Sequence, residues 1–304
     1  LKIIKSKKNL GLKTLIDICK IETSPSTYHI GYMIGPRINA GGRVGKCSHG
    51  ANLLLNKDPK DSFKLANELD QYNKERQMLE KDLLQKILNE TKDYSNDPVL
   101  VLSGFNWHEG VIGIVAARLK EKFNKPVIII SMTGDIGKAS ARSVIGFDIG
   151  SVIISATQEN ILIKGGGHKM AGGFSIKRQN IERFKDFIFK KYLKNTNSLS
   201  IKKPLLLDSI IAPSAVNIEF YNKVALLSPF GSGNPEPKFI IEDLKTINGK
   251  IVADRHIKSV LIGKDGSTIK SIAFNALENG LGAYLVKKNN KSFNIAGKLS
   301  LNEW

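Results

Sequence analysis

Asp58-Pro59 opens a stretch that runs without a helix breaker to about Asp93, and this segment limits what the chain can become. Aspartate is a favoured N-cap and proline a favoured first helical residue. Beyond them Leu65, Leu69, Tyr72, Leu79, Leu83 and Ile87 fall on one helical face, while Lys, Glu, Asp and Gln fill the others. The spacing predicts one helix of about 35 residues, roughly 50 Å long. A helix that long and that polar bridges two bodies. A chain of 304 residues has room for two or three domains.

On the N-terminal side, residues 1–50 read as short, glycine-rich and loop-like, with a turn or helix start at Ser24-Pro25-Ser26-Thr27. A short apolar helix follows from Ala51 to Leu55. On the other side, Ser95-Asn96-Asp97-Pro98 breaks the long helix, and Val99–Leu102 and Pro126–Ser131 read as buried strands flanking a helix from His108 to Phe123. This β-α-β order predicts a small α/β domain with some parallel pairing. A strand over Gly137–Arg142, a helix over Ile149–Thr157, a strand over Gly172–Ile176 and a closing helix over Ile181–Leu193 complete it. A polar linker comes next. Strand-like segments at Pro204–Ile211, Phe239–Asn248, His256–Ile262 and Thr268–Phe274, with a short helix over Ala215–Leu227, then predict a β-rich third domain. The fold class expected is α/β plus β.

No run of about 18 uncharged apolar residues is present, so a membrane-spanning helix is not expected. Leu1–Lys8 carries four lysines but no apolar stretch behind them, so no secretory signal is read. Two cysteines, Cys19 and Cys47, make neither a disulfide framework nor a zinc pair, and a reducing cytoplasm is the expected compartment. The 46 Lys+Arg against 28 Asp+Glu leave a net charge of +18, which suits a polyanionic partner, most often nucleic acid. Lysine-rich composition from an AT-rich genome is the competing explanation. The chain begins at Leu1, not Met, and Asn294–Leu301 alternates like a strand before stopping near Trp304, so a fragment is expected.

Four segments carry polar chemistry. Gly165-Gly166-Gly167-His168-Lys169 lets backbone N–H groups approach an anion because no side chain intervenes, with His168 and Lys169 beside it. The plain alternative is a tight turn with an exposed histidine. Ser140-Ala141-Arg142-Ser143 lies at an expected strand end, where alternation puts Ser140 and Arg142 on one face. A hydroxyl beside a guanidinium suits a terminal phosphate, although a polar strand end would look the same. Gly35-Pro36-Arg37-Ile38-Asn39-Ala40-Gly41-Gly42-Arg43 reads as a glycine-permissive loop that could hold a phosphate against Arg37, Asn39 and Arg43. Trp107-His108-Glu109-Gly110 heads a helix, whose N-terminus attracts anions, with packing the alternative role for Trp107. The five histidines lie in five different contexts, and no carboxylate cluster suited to a two-metal site is visible.

Together these segments resemble, in order, the motifs of the RecJ family, single-stranded-DNA-specific exonucleases of the DHH phosphoesterase superfamily. The resemblance is carried by Gly35–Arg43, Asn106–Ala116, Lys138–Ser143 with Gly146-Phe147-Asp148, Gly165–Phe174, and Leu227–Phe239, which is similar to the entry of that family's C-terminal OB-fold. It implies that residues 1–50 are the tail of a DHH catalytic domain and 51–94 connector helices. It implies further that 95–194 are a DHH-associated α/β domain, 195–203 a linker and 204–304 an incomplete OB-fold. It also implies degradation of single-stranded DNA from the 5′ end, in repair and recombination, with Mn or Mg held by ligands that precede Leu1. His168 would be catalytic. Arg37, Asn39, Arg43, His108, Ser140, Arg142, Ser143, Gly165, Gly166 and Gly167 would bind substrate.

The implied partners are single-stranded DNA with a 5′ end and a single-strand-binding protein or helicase, for a monomer with no membrane association. The chain alone would cut nothing. Two other classes stay open: a nanoRNA or adenosine bisphosphate phosphatase, and a non-catalytic nucleic-acid-binding scaffold. The family usually has Ala at the positions of Gly41 and Gly172, a change that a glycine-tolerant loop should accept.

Overall fold

The computed structural model describes residues 1–90, 97–195, 204–277, 280–286 and 289–301. The chain divides into two compact units, Leu1–Lys203 and Pro204–Trp304. The expected break at Ser95-Asn96, the last residues of the expected long helix, most of the linker and Trp304 lie outside the described residues.

The first unit opens with helices α1 (Lys2–Lys5) and α2 (Leu10–Ile18), then a π-helical segment His29–Ile34 that runs directly into α3 (Gly35–Val44). The expectation of a loop over Gly35–Arg43 is therefore wrong. Proline at the first turn costs a helix nothing, because that N–H has no partner in any case. Ala40 and Gly41 bury the inner face of α3, and that packing outweighs the poor helix propensity of the glycines. Helix α4 (His49–Leu55) follows, and the long helix is α5 (Pro59–Asn89), 31 residues or roughly 46 Å. Its N-cap is Asp58, whose carboxylate accepts from the Asp61 N–H at 2.9 Å.

Helix α5 joins two apolar cores. Ala66 and Leu69 pack with Leu15, Ile16, Ile34 and Leu53, while Leu83 and Ile87 pack with Val111, Val115 and Leu119. Polar side chains fill the gap between them. Asp70 and Asn73 are buried there, Arg76 pairs with Glu80 at 2.7 Å, and Asn73 Oδ1 accepts from Arg76 Nη2 at 3.0 Å.

The α/β part follows as β1 (Leu100–Phe105), α6 (Glu109–Phe123), β2 (Val127–Thr133), β3 (Ile136–Arg142), α7 (Ile149–Gln158), β4 (Lys164–His168), β5 (Ala171–Lys177) and α8 (Ile181–Asn195). The sheet order is β1-β2-β3-β5-β4. Strands β1 and β2 pair in parallel across the α6 crossover, and the other neighbours are antiparallel. The first six residues of β2 are buried on both faces, which is why Val127–Ile130 is an unbroken apolar run. Ile128 and Ile130 face the α7 and α8 side, Val127 and Ile129 the α6 side.

The second unit contains β6 (Ser209–Ile210), α9 (Ile218–Ala225), β7 (Phe239–Val252), β8 (His256–Ile262), β9 (Thr268–Ala273), α10 (Gly282–Leu285) and β10 (Asn289–Gly297). Its sheet order is β10-β7-β8-β9, antiparallel, with β6 beside β7. The expected strand over Pro204–Ile211 shrinks to Ser209–Ile210, in register with Phe239 and Ile240 and held by the flanking Asp208 and Ile211 N–H groups, which donate to the Lys238 and Ile240 carbonyls. The last strand begins earlier than its alternation suggests and ends at Gly297, after which Lys298 pairs with Glu236 at 2.8 Å.

Candidate phosphate-binding face

The register of β3, β5 and β4 places the expected site residues in rows. Arg142 lies opposite Ala171, and Ala171 opposite His168. Ser140 lies opposite Gly173, and Gly173 opposite Gly166. Lys138 lies opposite Ser175, and Ser175 opposite Lys164. Directly opposed residues in a sheet project from the same face, and successive residues alternate. One face of three strands therefore carries Arg142 and His168, Ser140, and two lysines around a column of Ser, Gly and Ala. Two strand spacings, ~10 Å, separate the backbones of Arg142 and His168.

The triple glycine is a strand, and this corrects its reading as a loop. The turn falls instead at Lys169-Met170, between β4 and β5. Strand β4 ends the sheet, so one side of its backbone keeps N–H and C=O groups free of a neighbouring strand. Alternation separates the three glycines. A Cβ on Gly165 would meet Ile153 Cγ2 at 2.7 Å on the α7 side. Gly167 lies against Gly150 of α7, where a Cβ on Gly150 would approach its carbonyl carbon to 2.9 Å. Only Gly166 opens onto the other face, with nothing within 4 Å of its Cβ position. Close packing of α7 thus accounts for Gly165, whereas a Cβ on Gly167 would meet the Ala171 carbonyl oxygen of β5 at 2.5 Å.

Helix α6 borders this face and brings the arginines together. Its N-cap is His108, whose Nδ1 accepts from the Gly110 N–H at 3.1 Å. Trp107 stacks on the bare backbone of Gly104, and its carbonyl accepts from Ser131 Oγ, so it takes the packing role. Arg43, at the end of α3, donates from Nη1 to the Gly110 carbonyl at 3.3 Å. One turn further along α6, Gly113 sits over Ser140 and Arg142. A Cβ there would lie 2.9 Å from Ser140 Oγ and 3.0 Å from Arg142 Nη2. Arg142 Nη1 in turn donates to Ser140 Oγ at 3.2 Å and to the Ala141 carbonyl at 2.8 Å. The sequence motif contained Gly110 and Gly113, but only their contacts reveal what they do.

Arg142 is half-buried. Burial first, and then the charge of Arg43, push its guanidinium down from the usual arginine range; it stays a cation. Among the described residues neither guanidinium has a carboxylate partner, whereas Lys138 pairs with Glu109 at 2.8 Å. Burial and the neighbouring charge of the exposed Arg43 raise the energy of the Arg142 cation. An anion lowers it.

The other expected residues have different surroundings. Ser143 is buried and donates to the Phe147 carbonyl at 2.6 Å, so its hydroxyl is spent on the turn into α7. Asn39 is exposed one turn before Arg43 and on the same side of α3. Arg37 points elsewhere. Its Nε donates to Asp70 Oδ1 at 2.8 Å and its Nη1 to the Met33 carbonyl at 2.8 Å, which fastens α3 to α5. Burial raises the Asp70 carboxyl, but hydrogen bonds from Lys74 and Arg37 outweigh it and hold the group below the usual carboxylate range.

Arg37→Ala should therefore lower stability by about 2 kcal/mol, since Lys74 still pairs with Asp70. Because the Asp70 pKa is depressed in the fold, the difference from the parent chain is fully present at neutral pH. It fades as pH falls through that depressed value. Urea unfolding across the acid range measures both effects. Unchanged stability would assign Arg37 to ligand binding.

Gly41 and Gly172 differ in the room they leave for the family's alanine. In α3 a Cβ on Gly41 would meet the Lys46 carbonyl oxygen at 2.6 Å, a backbone atom. In β5 a Cβ on Gly172 would meet Ile153 Cδ1 at 2.5 Å, the movable end of a side chain. Alanine is costly at the first position and mild at the second. No group of three or more His, Cys, Asp or Glu side chains converges among the described residues. No helix among them is long and apolar enough to cross a membrane.

Comparison with known proteins bears on the fold and its domains. Residues 96–194 match the model of the DHHA1 domain and residues 207–304 that of the RecJ OB domain. The single-stranded-DNA-specific exonuclease RecJ of Bacillus subtilis is 28% identical over 304 residues, which covers 97% of this chain and 37% of that protein. The crystal structure of RecJ from Thermus thermophilus in complex with Mg2+ superposes with a TM-score of 0.81 at 27% identity, over 100% of this chain and 45% of that one. The Mn2+ complex of the same protein gives a TM-score of 0.81 at 27% identity, over 100% and 43%. The chain spans less than half the length of these two relatives. The chain thus carries a DHHA1 domain followed by a RecJ OB domain and is similar to RecJ proteins along its length.

Proposed function

We propose that this chain is the end-gripping part of a single-stranded-DNA-specific exonuclease that works from the 5′ end. The observation that carries it is the Arg43–Arg142–Ser140 cluster, two guanidiniums without a carboxylate partner among the described residues, on a sheet face lined by His168, Lys138 and Lys164. A terminal phosphate is a dianion near neutral pH, whereas an internal diester carries one charge. It therefore gains most from two arginines and a hydroxyl. A pocket that accepts only an end also explains directionality, because each cut presents a new end. His168 stands at the far end of the same row and is the candidate catalytic group, while His108 and the edge backbone at Gly166 border the substrate. The C-terminal sheet would follow the strand through basic and stacking contacts that tolerate any base.

In this proposal residues 1–50 end a DHH catalytic domain, 51–94 connect, 95–194 form the DHH-associated domain, 195–203 link and 204–304 form an OB-fold. Hydrolysis would use Mn or Mg, the ions named for the Thermus structures. Among the described residues no three such ligands converge, and in this proposal other residues supply them. A monomer in the cytoplasm, recruited to repair and recombination by a single-strand-binding protein or helicase, completes the proposal.

The test uses a protein of the relatives' length that contains this chain. Mn-dependent release of mononucleotides from 5′-phosphorylated single strands is expected. Preference for dinucleotides over long strands would move the assignment to a small-substrate phosphatase. Tight strand binding without turnover would make it a scaffold.

A further inference from the structure

We propose that Gly113 is the positioning residue that makes the Ser140–Arg142 pair selective for a terminal phosphate over an internal diester. This rests on the function proposed above and deepens it. The three atoms nearest to a Cβ at Gly113 are Ser140 Oγ at 2.9 Å, Arg142 Nη2 at 3.0 Å and Arg142 Cζ at 3.7 Å. All three are side-chain atoms of the proposed anion site, and none is backbone. Gly110, one turn earlier, is different: its nearest atoms are the Arg43 carbonyl oxygen, the carbonyl carbon at 2.7 Å and Cα at 3.1 Å. Gly110 serves the packing of two helices. Gly113 serves the posture of one guanidinium.

That posture is fixed from one edge. Nη1 of Arg142 is held by Ser140 Oγ and the Ala141 carbonyl, which leaves the Nη2 edge facing the notch at Gly113. A phosphate dianion needs those N–H groups as a fork, with both donors free and coplanar. A methyl at position 113 would cover Nη2 or swing the guanidinium away, and the side chain has the freedom to move. The fold would lose nothing, since alanine is preferred over glycine inside a helix.

The test compares the parent 304-residue chain with Gly113→Ala, using fluorescence anisotropy with a short oligothymidylate carrying either a 5′-phosphate or a 5′-hydroxyl, without added metal. The melting temperature should hold or rise. Affinity for the phosphorylated strand should fall about tenfold, and affinity for the hydroxyl strand should barely change. In an Arg142→Ala background the same substitution should have no further effect, because Gly113 acts through that side chain. If Arg142→Ala removes the preference and Gly113→Ala leaves it intact, this inference falls and the proposed function stands. If Arg142→Ala also leaves the preference intact, both fall. A lower melting temperature with equal losses for both strands would make Gly113 a packing residue and overturn the inference.

Discussion

Arg142→Ala should remove the preference of this chain for a 5′-phosphorylated strand, a loss of about 1–3 kcal/mol or roughly 5- to 150-fold in affinity. The size follows from what the guanidinium does. It is half-buried, raised in energy by desolvation and by Arg43, and it donates to Ser140 Oγ rather than to a carboxylate. An anion that meets it gains a charge-assisted contact and relieves the repulsion. A 5′-hydroxyl strand gives neither, so its affinity should change little. Arg142→Lys should recover only part of the preference, since an ammonium keeps the charge but not the planar fork. Titration of both strands measures the ratio, and a ratio equal to that of the parent chain would remove Arg142 from the site.

Gly110→Ala should have the largest effect on stability, about 1–3 kcal/mol of destabilisation. Its Cβ would run into the Arg43 carbonyl, with the carbonyl carbon at 2.7 Å and the oxygen nearer still. Those atoms belong to the backbone at the end of α3 and cannot rotate away, so the two helices must separate. Helix propensity alone favours the alanine, which makes the sign of the result informative. Separation also withdraws Arg43 from Arg142, so phosphate preference should decline with stability. A urea midpoint at or above that of the parent chain would show that α3 and α6 do not meet as closely as described. Gly113→Ala, three residues along the same helix, should leave stability intact and change only the ligand preference.

Local signals served the sequence reading well where the determinants are local. Asp58 caps and Pro59 starts α5 as their positions suggest. The unbroken apolar run of β2 marks a central strand buried on both sides. Alternation puts Ser140 and Arg142 on one face, and they share a hydrogen bond. The same signals misled over Gly35–Arg43. Glycines and a proline predict a loop by propensity, but Ala40 and Gly41 bury against α5, and contacts distant in sequence decided for a helix.

What the sequence alone determined was the run of elements from α5 to α7, the α/β-then-β class, the long bridging helix and the family resemblance. All of these depend on neighbours within a few residues or on motifs in succession. Only the tertiary structure divided the duties among residues that look alike in the sequence. Arg37 and Arg43 sit six positions apart in one motif, yet one fastens α3 to Asp70, 33 residues away, while the other reaches Gly110, 67 residues away. Gly165, Gly166 and Gly167 are identical in the sequence, yet Gly165 packs against Ile153 of α7, Gly167 against the β5 backbone, and Gly166 opens onto the free face. Burial and close approach are set by chain segments that meet only on folding, and no local pattern encodes which segment each residue will meet.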